Sequence, residues 1–176
     1  VGVLSVMVFA ASWIALRTIQ QKRRKFYQFA LMAILTGGGL TLFLVTQFVL
    51  KLNPWFMPRY MIPLAGMIFA SSMNGVSLAA ERLQAEMDRN VEYIQARSIA
   101  LRAALIPITN SLFAVGLVSL PGMMTGQILS GVSPLIAVRY QIMVMCMIFS
   151  AVGLSSALFL IMIKSQLSEL TGKTLK

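Results

Sequence analysis

The 38 residues from Ala103 to Tyr140 carry a single charge, Arg139. One crossing of the hydrocarbon core takes about 20 apolar residues. This run is too long for one span and too apolar for a loop in water. It is also interrupted, first by Leu120-Pro121-Gly122 and again by Gly131. Interrupted helix at membrane depth persists only where protein or a water-filled cavity receives the freed backbone groups. The segment is therefore expected to line something, and functional residues are expected around it.

Composition agrees with a membrane solvent. Hydrophobic residues make up 58% of the chain and charged residues 11%, against roughly 25% charged in soluble domains. Mean hydropathy is +0.81. The strand alternation of an outer-membrane barrel is missing. The expected fold is all-α: a polytopic helical membrane protein with about five transmembrane helices, a broken or re-entrant segment near residues 120–133, and one transmembrane domain over residues 1–176. The spans are read at 2–19, Phe26–Leu50, Tyr60–Ala80, Ala103–Leu120 and from Pro134 through Tyr140 to Ile163.

The net charge of +10 does not point to nucleic acid, because the basic residues sit at span ends and not on one face of a domain. Five lie at Arg17–Lys25, two at Lys51 and Arg59, four at Arg82–Arg102, one at Arg139, and three at Lys164, Lys173 and Lys176. Five alternating spans put twelve of these on one side and three on the other. The basic-rich side is cytoplasmic by the positive-inside rule. Residues 20–25, 81–102 and the tail at 165–176 are thus expected in the cytoplasm of a cell whose inner (plasma) membrane holds the chain, with the lipid bilayer itself as a partner.

The chain opens at Val1 inside an apolar run, without a basic n-region or cleavage site. It is read as a fragment or a processed chain, not as opening with a signal peptide. In the second span Gly37-Gly38-Gly39 leaves two options: close helix packing or a flexible gate. In the third span Pro63 is expected in the first turn, where a missing N–H costs little. Ser71 and Asn74 belong to its small, polar middle, and Asn74 is either an interhelical hydrogen-bonding group or part of a pathway. Trp55, Phe56 and Tyr60 are expected at headgroup level. Cys146 is expected as a packing residue.

Glu81–Arg102 is the one long polar stretch. Leu83, Met87, Val91 and Ile94 recur at helical spacing, with Arg82–Glu86, Glu86–Arg89 and Arg89–Glu92 as charge pairs. An amphipathic cytoplasmic helix is expected over 81–102. After the Pro121-Gly122 break, Met123–Leu129 is a short apolar helical piece with Gly122 and Gly126 spaced for backbone contact. Ser133 is placed to cap the last helix, with Pro134 at its first position.

The chain has no histidine, no phosphate-binding loop, no zinc spacing and no catalytic triad, and its acids lie outside the spans. That argues against an enzyme and against proton relays within the membrane. No cofactor is expected, and no metal ligands can be assigned. Possible ligands for a cargo are methionine sulfur, hydroxyl and amide oxygens, and carbonyls freed at the breaks, with Met123 and Met124 the best-placed sulfurs.

Arg102–Pro107 (RAALIP), Gly116–Gly131 (GLVSLPGMMTGQILSG), Pro134, Tyr140–Met145 (YQIMVM) and Ile62–Ile68 (IPLAGMI) resemble the FetB-type permease family. These are membrane subunits of ABC transporters, including bacterial iron exporters and plant proteins tied to aluminium tolerance. The resemblance covers nearly the whole chain. It implies a permease that pairs with a second copy and with a separate ATP-binding-cassette ATPase, and exports a metal ion such as iron by alternating access. Pro121, Gly122, Met123, Met124, Gly126, Tyr140 and Gln141 fall on the family's central motif. Together with Gln127, Ser71 and Asn74 they form the expected transport pathway. Arg82, Glu86, Arg89, Glu92 and Arg97 are the expected contact with the ATPase.

The chain departs from the family pattern in three places. The family has further spans ahead of Val1. Ser71 stands where an asparagine is usual. The section from Ala80 to Arg102 lacks a Leu-Gly-Ala run expected to couple to the ATPase. Two other readings stay open: a non-transporting scaffold or decayed subunit, and an ATP-independent channel or carrier.

Overall fold

The computed structural model describes residues 2–15, 23–51 and 57–171. Helix α1 is Gly2–Ala15. Helix α2 is Arg23–Leu44 and ends in a π turn at Val45–Val49. Helix α3 is Pro58–Asp88, α4 is Tyr93–Ala114, α5 is Gly122–Leu129 and α6 is Pro134–Thr171. Among the described residues the nearest thing to a strand is one bridge between Val115 and Ser119. The expected all-helical membrane fold is what forms.

Among the described residues, three helical stretches are long and apolar enough to cross a membrane: Phe26–Val49, Pro58–Asp88 and Pro134–Lys164. The other two expected spans fall short of that measure. The described part of α1 has 14 residues, and residues 16–22, with most of the first basic loop, lie outside the described residues. Helix α4 stops at Ala114, six residues before the expected end at Leu120. Gly116 takes φ +83°, and the Leu117, Val118 and Ser119 amides all turn back to the Ala114 carbonyl at 2.9–3.2 Å. This tight turn satisfies the helix end locally, so the helix does not need to continue.

Several expected boundaries shift. Pro58 takes the first position of α3 behind extended Met57, so Pro63 lies inside the helix and not in its first turn. The Arg59 carbonyl loses its usual i+4 donor there. The polar tail is not separate from the last span: α6 runs on to Thr171. Trp55 and Phe56 lie outside the described residues, as do 172–176. Cys146 is exposed and does not pack in the core.

The amphipathic helix expected over 81–102 is two pieces. Helix α3 carries Glu81–Asp88 as its own extension, about 46 Å long in all at 1.5 Å per residue, well beyond the roughly 30 Å hydrocarbon core. The chain then reverses at Asn90, which holds φ +59°, and α4 begins at Tyr93. Asparagine tolerates this left-handed geometry better than most residues. The expected Arg89–Glu92 pair is not formed among the described residues, because the helical i,i+3 relation is lost at the reversal. The apolar stripe is also only half used: Leu83 is buried, while Ile94 is exposed.

Helix α6 is the hub, touching α2, α3, α4 and α5, while α1 lies against α2 and α3. Backbones approach closely where small residues allow it. A Cβ on Gly37 would lie 2.6–2.9 Å from Ser155, two of those contacts being to backbone atoms. A Cβ on Gly75 would meet Val152 at 2.7 Å and the Ser156 hydroxyl at 2.9 Å. Gly38 faces Ile68 and Phe69, whereas Gly39 faces open space. At Gly37 and Gly38 the glycine run therefore serves close packing. Buried Ser12, Thr41 and Thr46 donate to carbonyls four residues back at 2.8–2.9 Å, the usual way to satisfy a hydroxyl inside a helix.

The hairpin between α3 and α4 is tied down at two points. The Tyr93 hydroxyl donates to the Leu160 carbonyl on α6. Burial, only partly opposed by the Arg97 charge, pushes its pKa up to about 12, so this donor keeps its proton throughout the physiological range. Glu86 is 4% exposed and meets Arg82 at 2.7 Å and Arg89 at 3.7 Å. Its backbone carbonyl accepts from the Arg89 and Val91 amides, closing the turn. Glu86→Ala is expected to cost about 1 kcal/mol, below the roughly 1.5–3 kcal/mol of a hydrogen bond to a charged group because both arginines stay partly in solvent. A lowered thermal midpoint of the detergent-solubilised protein, with Glu92→Ala unchanged, is the check.

Candidate functional site: a polar cleft in the helix bundle

Helix α3 presents Ser71, Asn74, Gly75 and Leu78 on one face, at i, i+3, i+4 and i+7. Helix α4 presents Ala104, Pro107, Ile108 and Ser111 at the same spacing. These two stripes and Val152 of α6 enclose a cleft of about 180 Å³. Each stripe follows from the 3.6-residue period; the cleft exists because its residues are small.

The cleft is lined by uncharged oxygens. Neither Ser71 nor Asn74 has a hydrogen-bond partner among the described residues, so the interhelical bond considered for Asn74 is not formed among them. Pro107 lies inside α4 and cannot donate to the Ala103 carbonyl. The Ser111 hydroxyl donates to the Pro107 carbonyl at 2.9 Å. Behind the cleft, the hydroxyls of Ser72, Ser155 and Ser156 are buried without partners among the described residues. Each such group costs about 1–3 kcal/mol if left unmatched. Gly75, which lines the cleft, brings the Ser156 oxygen to its edge.

The rest of the expected pathway lies elsewhere. Helix α5 packs against α6. Met124 is buried and Met123 half-buried, while Gly122 and Gly126 face open space. The Gln127 and Gln141 side-chain oxygens are buried and unpartnered among the described residues, and Tyr140 is half-buried against the core. Along α6, Gln141 is eleven residues before Val152, about 16 Å at 1.5 Å per residue. The ten expected pathway residues therefore form two groups. Ser71 and Asn74 are in the cleft. Pro121, Gly122, Met123, Met124, Gly126, Gln127, Tyr140 and Gln141 are at or beneath the broken segment. Backbone groups at that break are largely matched locally, with the Ser130, Gly131 and Val132 amides bonded back into α5 at 3.0 Å.

The five expected ATPase contacts also divide. Arg82, Arg89 and Glu92 are exposed at the hairpin, Glu86 is buried beneath it, and Arg97 is half-buried further along α4. Pro107, Ser111 and Val152 are additions that the sequence reading did not place in the site. The signal for the first two was the i, i+3, i+4, i+7 repeat shared by α3 and α4.

The described residues hold no group of three or more histidine, cysteine, aspartate or glutamate side chains able to fix a metal ion. The cleft offers neutral hydroxyl, amide and carbonyl oxygens. Such donors suit weak, reversible contact with a polar or cationic cargo, not a resident transition metal.

Long apolar helices around a hub helix, with a neutral polar cleft between three of them, define a multi-pass helical membrane protein. Residues 1–99 and 93–167 match the family described as "Uncharacterised protein family (UPF0014)", and the chain belongs to that family. It is 34% identical over 169 residues to a UPF0014 membrane protein of Synechocystis, covering 88% of this chain and 65% of that one. It is 37% identical to the Probable iron export permease protein FetB of Escherichia coli, over 84% of this chain and 61% of that protein. It is 39% identical to Protein ALUMINUM SENSITIVE 3 of Arabidopsis thaliana, over 71% of this chain and 50% of the plant protein. The chain thus spans between half and two thirds of the length of these relatives. No solved structure matches it.

Proposed function

We propose that this chain is membrane-spanning permease machinery of an ABC transporter, exporting a metal ion such as iron by alternating access while a separate ATPase subunit hydrolyses ATP. The observation that carries this reading is the cleft between α3, α4 and α6, whose Asn74 and Ser71 have no hydrogen-bond partner among the described residues. The relationship to FetB supports the direction and cargo class. The ATPase docks on the cytoplasmic hairpin through Arg82, Arg89 and Glu92, with Glu86 holding the turn. A second copy completes the permease, and α5 covers the outer end of the path in an inner membrane.

The test is flux. Proteoliposomes holding the permease together with an ATP-binding-cassette ATPase that co-purifies with it are expected to move radioactive iron only with hydrolysable ATP. Flux without nucleotide, or ATPase activity from the permease alone, overturns the reading. Accessibility gives a second check. In a Cys146→Ser background, Asn74→Cys, Ser111→Cys and Gly122→Cys are expected to react with a water-soluble maleimide in at least one nucleotide state. If all three stay inert in every state, no aqueous path reaches them.

One observation favours a membrane scaffold without transport. The family match falls in two pieces that meet at residues 93–99, beside the hairpin where the coupling run is missing. Failure of the ATPase to co-purify with the full-length protein would support that reading.

A further inference from the structure

A second opening lies between α4 and α6, closer to the hairpin than the cleft. Its volume is about 390 Å³. Arg97, Ser98 and Leu101 line it from α4, with Ile94 at the edge; Ala157, Leu160 and Ile161 line it from α6. Both walls are helical stripes at i, i+3, i+4 and i+7 if Lys164, which follows Ile161 by three residues, is added to the second. The Tyr93 hydroxyl bonded to the Leu160 carbonyl fixes the register of the walls.

This groove is amphipathic along its length. Leu101, Ala157 and Leu160 make an apolar floor, and Ile94 and Ile161 stand 50% and 57% exposed at its edges. Arg97 is its one charged lining residue, and no carboxylate of the described residues lies within ion-pair distance of it. The exposed Ser98 hydroxyl is the next residue. A guanidinium beside a hydroxyl, above an apolar slot between α4 and the membrane-length helix α6, matches one kind of molecule. The charge requires an anionic group, for which guanidinium–phosphate pairing is strong and directional. The floor requires hydrocarbon. Basic openings between spans on the cytoplasmic side are known binding places for acidic lipid headgroups.

We infer that the α4–α6 groove binds an acidic phospholipid, its phosphate on Arg97 and Ser98 and its acyl chain along Leu101, Ala157 and Leu160. This assignment does not rest on the transport reading. It removes Arg97 from the surface offered to an ATPase. It also places a lipid against Tyr93 and Leu160, where the hairpin is tied to the hub helix.

The experiment is native mass spectrometry of the full-length protein, exchanged in mixed micelles with phosphatidylglycerol or phosphatidylcholine of identical acyl chains. Wild type is expected to retain phosphatidylglycerol about fivefold better, the preference supplied by one basic group near a headgroup. Arg97→Gln is expected to bring the two lipids to parity, and Arg97→Lys to keep most of the preference. Ala157→Phe, which fills the floor, is expected to lower retention of both. Arg59→Gln, at the other end of α3, is the matched control and is expected to leave the lipid preference unchanged. Equal retention by wild type, an unchanged preference in Arg97→Gln, or displacement of the lipid by inorganic phosphate alone would overturn the assignment. So would spontaneous disulfide linkage of two Ile161→Cys copies, in a Cys146→Ser background and in acidic lipid, because a second copy would then occupy the groove.

Discussion

Gly37→Ala is expected to lower the thermal midpoint of the solubilised protein sharply, while Gly39→Ala, two residues away, leaves it unchanged or raises it. The added methyl at position 37 would sit 2.7 Å from the Ser155 amide nitrogen and 2.9 Å from its α-carbon. Backbone cannot rotate out of the way as a side chain can, so α2 and α6 must part. Overpacking of this kind costs about 1–3 kcal/mol, and more where the neighbour is rigid. At Gly39 the methyl meets nothing within 4 Å, and alanine is the better helix former by about 1 kcal/mol in water. The two substitutions are chemically identical and two residues apart, so a difference in sign isolates the helix crossing. Fluorescence-detected size-exclusion chromatography after a heat step reads it directly. Equal midpoints for the two variants would show that α2 and α6 do not approach as described.

On the proposed transport reading, Asn74→Leu is expected to reduce ATP-dependent efflux by at least about tenfold without a comparable loss of folded protein. Asn74 is exposed within the chain and bonded to none of the described residues, so its removal strands no partner. What changes is the cleft. A cavity of about 180 Å³ loses its one amide and gains a branched apolar group, and a cargo that exchanges water for protein oxygens meets hydrocarbon there. Losing one charge-assisted contact, about 1.5–3 kcal/mol, is already a tenfold effect at 1.4 kcal/mol per decade. Asn74→Gln retains the amide and is expected to recover a substantial part of the flux. Normal efflux from Asn74→Leu in vesicles of matched protein content would move the pathway away from this cleft. A collapse in yield would instead identify Asn74 as a contact with a second copy.

The sequence carried the class of fold, because hydrocarbon selects against charge so strongly that span length and charge placement can be read directly. The three long spans and the short piece after Pro121-Gly122 were legible for that reason. Two kinds of feature were not. Helix ends shifted wherever local hydrogen bonds outcompeted apolar length, as at Ala114 and Pro58. The hairpin at Asn90 interrupted a stripe that periodicity alone read as continuous, because one residue in left-handed conformation reverses the chain without altering the pattern of apolar residues. For the site, Ser71 and Asn74 were visible as polar residues in an apolar span. Their neighbours across the cleft, Pro107 and Ser111, lie on a different helix. Which stripe faces which is a property of packing, and one helix's pattern cannot supply it.

Helix α6 passes all three features in turn: Gln141 beside the broken segment, Val152 at the cleft, and Leu160 under the lipid groove and the Tyr93 tie. These residues span about 28 Å at 1.5 Å per residue, and no proline follows Pro134. A rod with continuous hydrogen bonding cannot shorten or fold to absorb a push. Any tilt imposed where Tyr93 grips it must reappear, with opposite sense, at the far end beneath α5. Opening one mouth and closing the other would then be a single seesaw movement, with the glycine crossings at Ser155 and Ser156 as its fulcrum.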